Sequence, residues 1–412
     1  MGKDSEYYQK KELEQNRNLE RLLSNLPPLC KEVIEFKSQT CATSSLVSYC
    51  YDLGIFFRYY LSLEDTKVHS MQEITYKTIE CIPAQKFYDF QKYLEFNDVG
   101  EYHKSTKKGI ARRMAAVRNM YKYHYKMGNI KFNPTEMVML PKLVKDKTII
   151  TLNKKEINML LNALSNQKCF KRGRMKTYKK MTKQRDMAVV VLLLNTGIRI
   201  GECVGLDLSD IDLTSRTPNL IVIRKGGAMD RVYFNKSVAD VLKKYIKGER
   251  KEILNNKGLK DSPDKNALFL SIYGKRLKAD SIEKMLREYT SRLFPDKRIT
   301  PHKLRSTYGT ALYKETGDIR LVADVLGHDN INTTIKYYAK ADDEKKIKAA
   351  KAVVFTKKTM VAGDNEDVDD TIDNNITITT SDIEKSLDKN KRKEEKKSNA
   401  KEAKIVQFKK KM

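Results

Sequence analysis

TGIRIGE, at 196–202, follows directly on an apolar run, MAVVVLLL at 187–194. Gly197 suits a helix terminator, so Arg199 emerges at the edge of a core element with Glu202 one turn away to orient it. A guanidinium held in this way can grip a phosphate through two parallel hydrogen bonds. The plainer alternative is an Arg–Glu salt bridge between helices. In TPHKLRSTYGTAL, at 300–312, Thr300 can N-cap a helix, Pro301 fits its first position, and His302 and Arg305 lie three apart on one face. The chain has five histidines, and His328 opens a third stretch of interest, LGHDNINTTIKYY at 326–338. Asn332 is a reasonable N-cap for a helix running through TTIKYYAK, in which Ile335, Tyr338 and Ala339 form an apolar stripe at i, i+3 and i+4. Tyr337 falls about 200° around that helix from Ile335, facing away from the stripe and free to meet a substrate, whereas Tyr338 belongs with the core. A lone histidine is more often a satisfied core group than a catalyst. Two histidines with two arginines point instead to a phosphate site.

A phenol would suit such a site as nucleophile. Its pKa lies near 10, so at neutral pH its attack on phosphorus needs help with the proton and with the charge of a pentavalent dianion. Two preorganised arginines and a histidine supply that charge without a metal.

The elements that must position these residues are mostly helical. Residues 1–42 read as an N-terminal arm, with a helix over 5–26 carrying Leu19, Leu22, Leu23 and Leu26 and stopped by Pro27 and Pro28. Residues 43–127 hold three helical patterns and read as an all-helical domain. In the third, Ile110, Met114, Val117, Tyr121 and Tyr125 form a packing stripe, and Lys108, Arg112, Lys122 and Lys126 lie opposite. That basic face is either solvated or a phosphate-contacting surface. A Pro- and Lys-containing linker spans 128–150, and a second domain spans 151–345. There LNKKEINMLLNAL reads as a helix, KCFKRGRMKTYKKMTKQR as a lysine-rich loop, and LIVIRKGGAMDRVYF as two short strands around a Gly-Gly turn. The last region, 346–412, reads as a C-terminal helix within KKIKAAKAVVF (345–355), packed in cis or on a neighbouring protomer, and then a charged, mostly disordered tail.

Composition agrees with a polyanionic partner. The 412 residues carry a formal net charge of +28, with lysine and arginine distributed along the chain. The longest apolar run is far short of the roughly 20 residues of a membrane span, and MGKDSEYYQKKE lacks an apolar signal segment, so a cytoplasmic, DNA-associated protein with no membrane contact is expected. The six cysteines form no CxxC pair and no zinc spacing, which predicts no metal site and reduced, mostly buried thiols.

Taken together, TGIRIGE, the lysine of IRKGG, PHKLR, and LGH followed nine residues later by tyrosine resemble the tyrosine recombinases, over roughly residues 40–345. LFLS, IEKM and TPHKLR look most like the single-subunit Xer recombinases of the XerS kind. The resemblance implies a mainly α fold: an all-helical, SAM-like core-binding domain and a mixed, mainly helical catalytic domain with a small β-hairpin. It implies Arg199 and Arg305 as the pair clamping the scissile phosphate, His328 as a further donor, and His302 in proton transfer. Lys225 would be the acid protonating the 5′-hydroxyl leaving group, Tyr337 the nucleophile, and Glu202 a support. The partners it implies are double-stranded DNA and a tetramer of this chain assembled on it, with no cofactor. Departures are the long tail, the basic segment at 168–185, and Ser306 and Thr307 where a histidine is frequent. Chromosome dimer resolution is the leading role. A mobile-element integrase or inversion switch, a type IB topoisomerase and a catalytically silent DNA-binding regulator are the alternatives.

Overall fold

The computed structural model describes residues 6–96, 105–142, 150–170, 173–224, 226–256, 259, 262–328, 330–331 and 334–335, all within one compact unit. Six helices come first: α1 (Glu6–Ser24), α2 (Leu29–Ser38), α3 (Thr43–Leu61), α4 (Tyr76–Glu80), α5 (Ala84–Phe96) and α6 (Lys107–Lys126). The α2 segment, assigned from sequence to an arm ahead of the helical domain, adds Leu29, Cys30, Val33 and Ile34 to the core that α3, α5 and α6 share. That core is aromatic at its centre, where the rings of Phe56 and Phe87 stack with centroids 5.4 Å apart, an arrangement worth more than the buried area alone. The α6 stripe packs through Ile110, Met114, Val117 and Tyr121, but Tyr125 is 48% exposed. The aromatic ring that the heptad-like spacing assigned to the interior lies one turn beyond the edge of the core.

In the second half, α7 (Lys154–Asn166) starts from a reciprocal cap in which Asn153 and Glu156 each accept the other's backbone N–H at 2.9 Å. The segment expected as a lysine-rich loop holds a helix, α8 (Arg174–Met181), because Lys179 turns inward and pairs with Glu288 at 2.7 Å. Next come α9 (Lys183–Thr196) and α10 (Ile200–Gly205), then β1 (Ile211–Asp212), β2 (Asn219–Ile223) and β3 (Met229–Tyr233), an antiparallel sheet in the order β1-β2-β3. β1 is too short for an alternating pattern and was not anticipated. The chain continues through α11 (Lys236–Tyr245), α12 (Lys251–Asn256), α13 (Ala279–Leu293), α14 (Pro301–Thr316) and α15 (Ile319–Leu326). The core of this half surrounds α9, whose Ala188, Val189, Leu192 and Leu193 are almost wholly buried, as an apolar run without a polar face requires.

Helix α1 touches both halves. Leu19, Leu22 and Leu23 pack on the first core, and at its other end the Tyr7 ring centre lies 4.4 Å from the Arg276 guanidinium. Of the six cysteines, expected to be mostly buried, Cys30, Cys50 and Cys203 are buried, Cys41 and Cys169 are half-buried and Cys81 is exposed. No described helix is long and apolar enough to cross a membrane. Among the described residues no cluster of His, Cys, Asp and Glu could hold a metal ion.

Candidate active site at the end of helix α15

Three helix ends converge. α9 stops at Gly197 in the left-handed conformation (φ 62°), and a Cβ there would sit 2.5 Å from Cδ1 of Tyr308 and 2.8 Å from Cδ2 of Leu326. Glycine therefore serves both the reversal and the close approach. α14 begins on Pro301 after Thr300, which occupies the cap position without a side-chain cap bond, so its expected capping role is not taken up. Asp318 does cap α15, accepting from the backbone N–H groups of Arg320 and Leu321 at 2.8 and 3.1 Å, and Gly327 ends it at φ 59°.

The last carbonyls of α15 gather arginines from distant parts of the chain. Val325 accepts from Nη2 of Arg224 at 3.1 Å, Leu326 accepts from Nη2 of Arg305, and Gly327 accepts from Nη2 of Arg199 at 2.8 Å. Carbonyls at a helix C-terminus lack intrahelical donors and carry the negative end of the helix dipole, so three cations there are well matched. Arg305 also donates to the carbonyl of Gly197 at 2.6 Å. Glu202 binds Arg199 twice, accepting from Nη1 at 2.8 Å and from the backbone N–H at 2.7 Å. The Arg199–Glu202 salt bridge is therefore made within the first turn of α10 and not between helices, and it fixes the direction of the guanidinium. Arg305 is 4% exposed, whereas the Arg199 side chain keeps 35% of its surface open.

His328 follows Gly327 directly, and its Nδ1 lies 2.7 Å from the hydroxyl of Thr334. Burial, and then the positive charge of Arg305 and Arg199, push the imidazole from 6.5 down to about 4, with smaller contributions from His302 and Arg224. His302, on the open side of α14, is lowered too, by desolvation first and then by Arg305, Lys303 and Arg199. Both imidazoles are therefore neutral at physiological pH, each with one nitrogen able to accept a proton and one able to donate.

The sequence-predicted residues Arg199, Glu202, Arg305, His302 and His328 meet here. Lys225, Tyr337 and Tyr338 lie outside the described residues, as do Asn332 and the segment from 336 onward that includes KKIKAAKAVVF and the tail. Ile335, expected as the first member of an inward stripe with Tyr338 and Ala339, is 40% exposed, and the buried position belongs to Thr334. The helix phase that separated Tyr337 from Tyr338 therefore loses its anchor, and the spacing from His328 alone selects Tyr337. Lys108, Arg112, Lys122 and Lys126 are exposed on α6, with Arg112 held 2.6 Å from the buried Asp52.

Sequence reasoning overlooked Arg224 and Thr334. Arg224 could have been found from register: Leu220 and Val222 are buried on one face of β2, and an arginine two residues further falls on that same inward face. For Thr334 no sequence signal distinguishes it from Thr333.

Residues 151–345 match the phage integrase family. Over 327 residues the chain is 31% identical to a tyrosine recombinase XerC of Caldanaerobacter subterraneus subsp. tengcongensis, covering 77% of this chain and 84% of the relative. It is 30% identical over 329 residues to a tyrosine recombinase XerS of Streptococcus thermophilus, covering 74% and 88%. Among solved structures, the XerH site-specific recombinase bound to a palindromic difH substrate in a post-cleavage complex superposes with a TM-score of 0.54 at 17% identity, covering 82% of this chain and 94% of that one. That likeness supports the mainly helical, two-part fold.

Proposed function

This chain belongs to the phage integrase family of tyrosine recombinases, and we propose that it cuts and rejoins double-stranded DNA at specific sites through a 3′-phosphotyrosyl bond. The observation that carries the reading is the convergence of Arg199, Arg305 and His328 on the end of α15, where each guanidinium is oriented by protein acceptors before any substrate arrives. Preorganised donors in a partly dehydrated site stabilise developing negative charge far better than mobile ones.

In this reading Arg199 and Arg305 clamp the non-bridging oxygens of the scissile phosphate. His328 accepts a hydrogen bond from the Thr334 hydroxyl at Nδ1, so that Nε2–H is the donor to the phosphate. His302, neutral at pH 7, takes the phenolic proton as Tyr337 attacks phosphorus. The bond from phosphorus to O5′ breaks, and Lys225 gives O5′ its proton. Because the new ester conserves the energy of the broken one, a 5′-hydroxyl of a partner strand can reverse the step without ATP. The relatives named XerC and XerS favour an Xer-like role, and we infer that four copies of the chain on two duplexes resolve chromosome dimers. The exposed basic residues of α6 supply part of the grip on DNA.

DNA left covalently linked to the protein after denaturation, once sequenced, gives the site. A nicked duplex bearing it then traps the intermediate. Wild type and Tyr338→Phe are expected to form the covalent complex and Tyr337→Phe to form none; a complex with Tyr337→Phe would remove the nucleophile assignment. Relaxation of plasmid lacking any such site would favour the topoisomerase alternative.

A further inference from the structure

Arg224 lies at the junction of three elements and is 8% exposed at its side chain. Its Nε and Nη2 reach Oδ2 of Asp230 on β3 at 2.8 and 2.7 Å, its Nη1 reaches Oε2 of Glu202 on α10 at 3.0 Å, and its Nη2 also reaches the Val325 carbonyl of α15. The carboxylate oxygen of Glu202 that it meets is the one that accepts the backbone N–H of Arg199. The main chain of Arg224 forms the base of the hairpin turn. It donates to the Ala228 carbonyl at 2.8 Å and accepts from Gly227 at 3.0 Å, with Gly226 and Gly227 both at positive φ. Lys225 is the next residue in the chain. On the opposite side Gly327 makes room: a Cβ there would lie 2.7 Å from the Arg224 Nε.

We propose that Arg224 is a positioning residue for the cleavage step, fixing the base of the hairpin, from which the chain runs on to Lys225, relative to the arginine pair. Its guanidinium faces Glu202, Asp230 and the α15 carbonyl, so it acts through protein groups and not on the phosphate. A planar fork with donors in three directions suits this bridging, and the point charge of a lysine does not. The inference rests on Lys225 being the acid that protonates O5′.

Single-turnover cleavage of two nicked duplexes tests it, one with the ordinary scissile phosphodiester and one with a 5′-bridging phosphorothiolate, whose thiolate leaves without a proton. Lys225→Ala should cleave only the second; failure there removes the acid assignment and this inference with it. With that control in place, Arg224→Ala is expected to lose about a hundredfold on the ordinary substrate and at least about tenfold less on the phosphorothiolate. Equal losses on both, no loss on the first, or full rescue by Arg224→Lys would overturn the proposal. Should Arg224→Ala not fold, Asp230→Asn decides in its place, because Asp230 is 41% exposed and removing its charge loosens one anchor only. A smaller loss with the same preference for the phosphorothiolate supports the proposal, and equal losses on both substrates refute it.

Discussion

In the proposed function, two groups of cations in this molecule do different work. On α6, Lys108, Lys122 and Lys126 stand in solvent, whereas around the end of α15 the side chains of Arg224 and Arg305 are nearly buried and only Arg199 is partly open. On that proposal the exposed lysines keep their water and counterions until phosphate replaces them, and the affinity they contribute is the kind that salt erodes. The α15 arginines have fixed their geometry against carbonyls and carboxylates in advance, which suits stabilising charge that exists only during reaction. The proposed division between binding and chemistry is thus one of burial, not of charge.

The most severe test of that contrast is Arg305→Ala. It deletes the proposed donor to the phosphate and leaves the carbonyls of Gly197 and Leu326 without the partner they have in the folded chain. Cleavage under single-turnover conditions is expected to fall by about 10²–10³ or more, and chemical denaturation should show a loss of about 1–3 kcal/mol. Near-normal cleavage would mean that the buried arginine is structural only. Gly197→Ala reaches the same guanidinium indirectly. Its new methyl group meets Tyr308 and Leu326 on a backbone at φ 62°, so about 1–3 kcal/mol of stability should be lost. A moderate fall in cleavage should accompany it, because the Gly197 carbonyl orients Arg305. Unchanged stability would show that the α9–α14 contact is loose.

How much of this was legible in the sequence follows the same division. Helices with capping boxes or strict stripes, such as α7 and most of α6, can be read because the information is local. So can Arg199 with Glu202, which are one turn apart. Arg224 was hidden because its partners come from three separated segments, and its meaning depends on contacts that only the fold creates. α8 was misread as a loop because a run of lysines looks solvated, yet Lys179 lies 4.9 Å from the centre of the Tyr289 ring and pairs with Glu288. Ile335 failed for a related reason. An apolar residue was assumed to point inward, but the polar partner of His328 took that side.

The histidines give the contrast a pH signature. In the unfolded chain His328 takes up a proton near 6.5, and in the folded chain only near 4, because burial and the surrounding guanidinium groups oppose it. Between those values the unfolded state binds more protons, so stability falls as pH drops from about 7 towards 4, and above about 7 the group contributes no slope. His302 adds to the same trend in the same direction. His328→Asn should flatten part of the acid limb of a melting-temperature profile while leaving stability at pH 8 less affected. An unchanged acid limb would place the sensitivity elsewhere.

The smallest effects should come from α6, and there the four basic residues should not behave alike. Lys122→Ala removes an exposed charge, so it should weaken DNA binding, lower the slope of log affinity against log salt by about one, and leave thermal stability alone. Arg112 is different, because its Nη1 lies 2.6 Å from a carboxylate of Asp52 that is 3% exposed, while Arg113 stands further away at 3.9 Å. Burial already raises the Asp52 carboxyl above its ordinary range, and the two arginines oppose that rise. Taking Arg112 away leaves a buried acid with one distant partner. Arg112→Ala should therefore cost about 1–3 kcal/mol of folding stability as well as affinity, and that cost should shrink below the pH at which Asp52 is protonated. Equal behaviour of Lys122→Ala and Arg112→Ala in salt titrations and in melting would mean that the Asp52 pair carries no weight, leaving all of α6 on the binding side of the division.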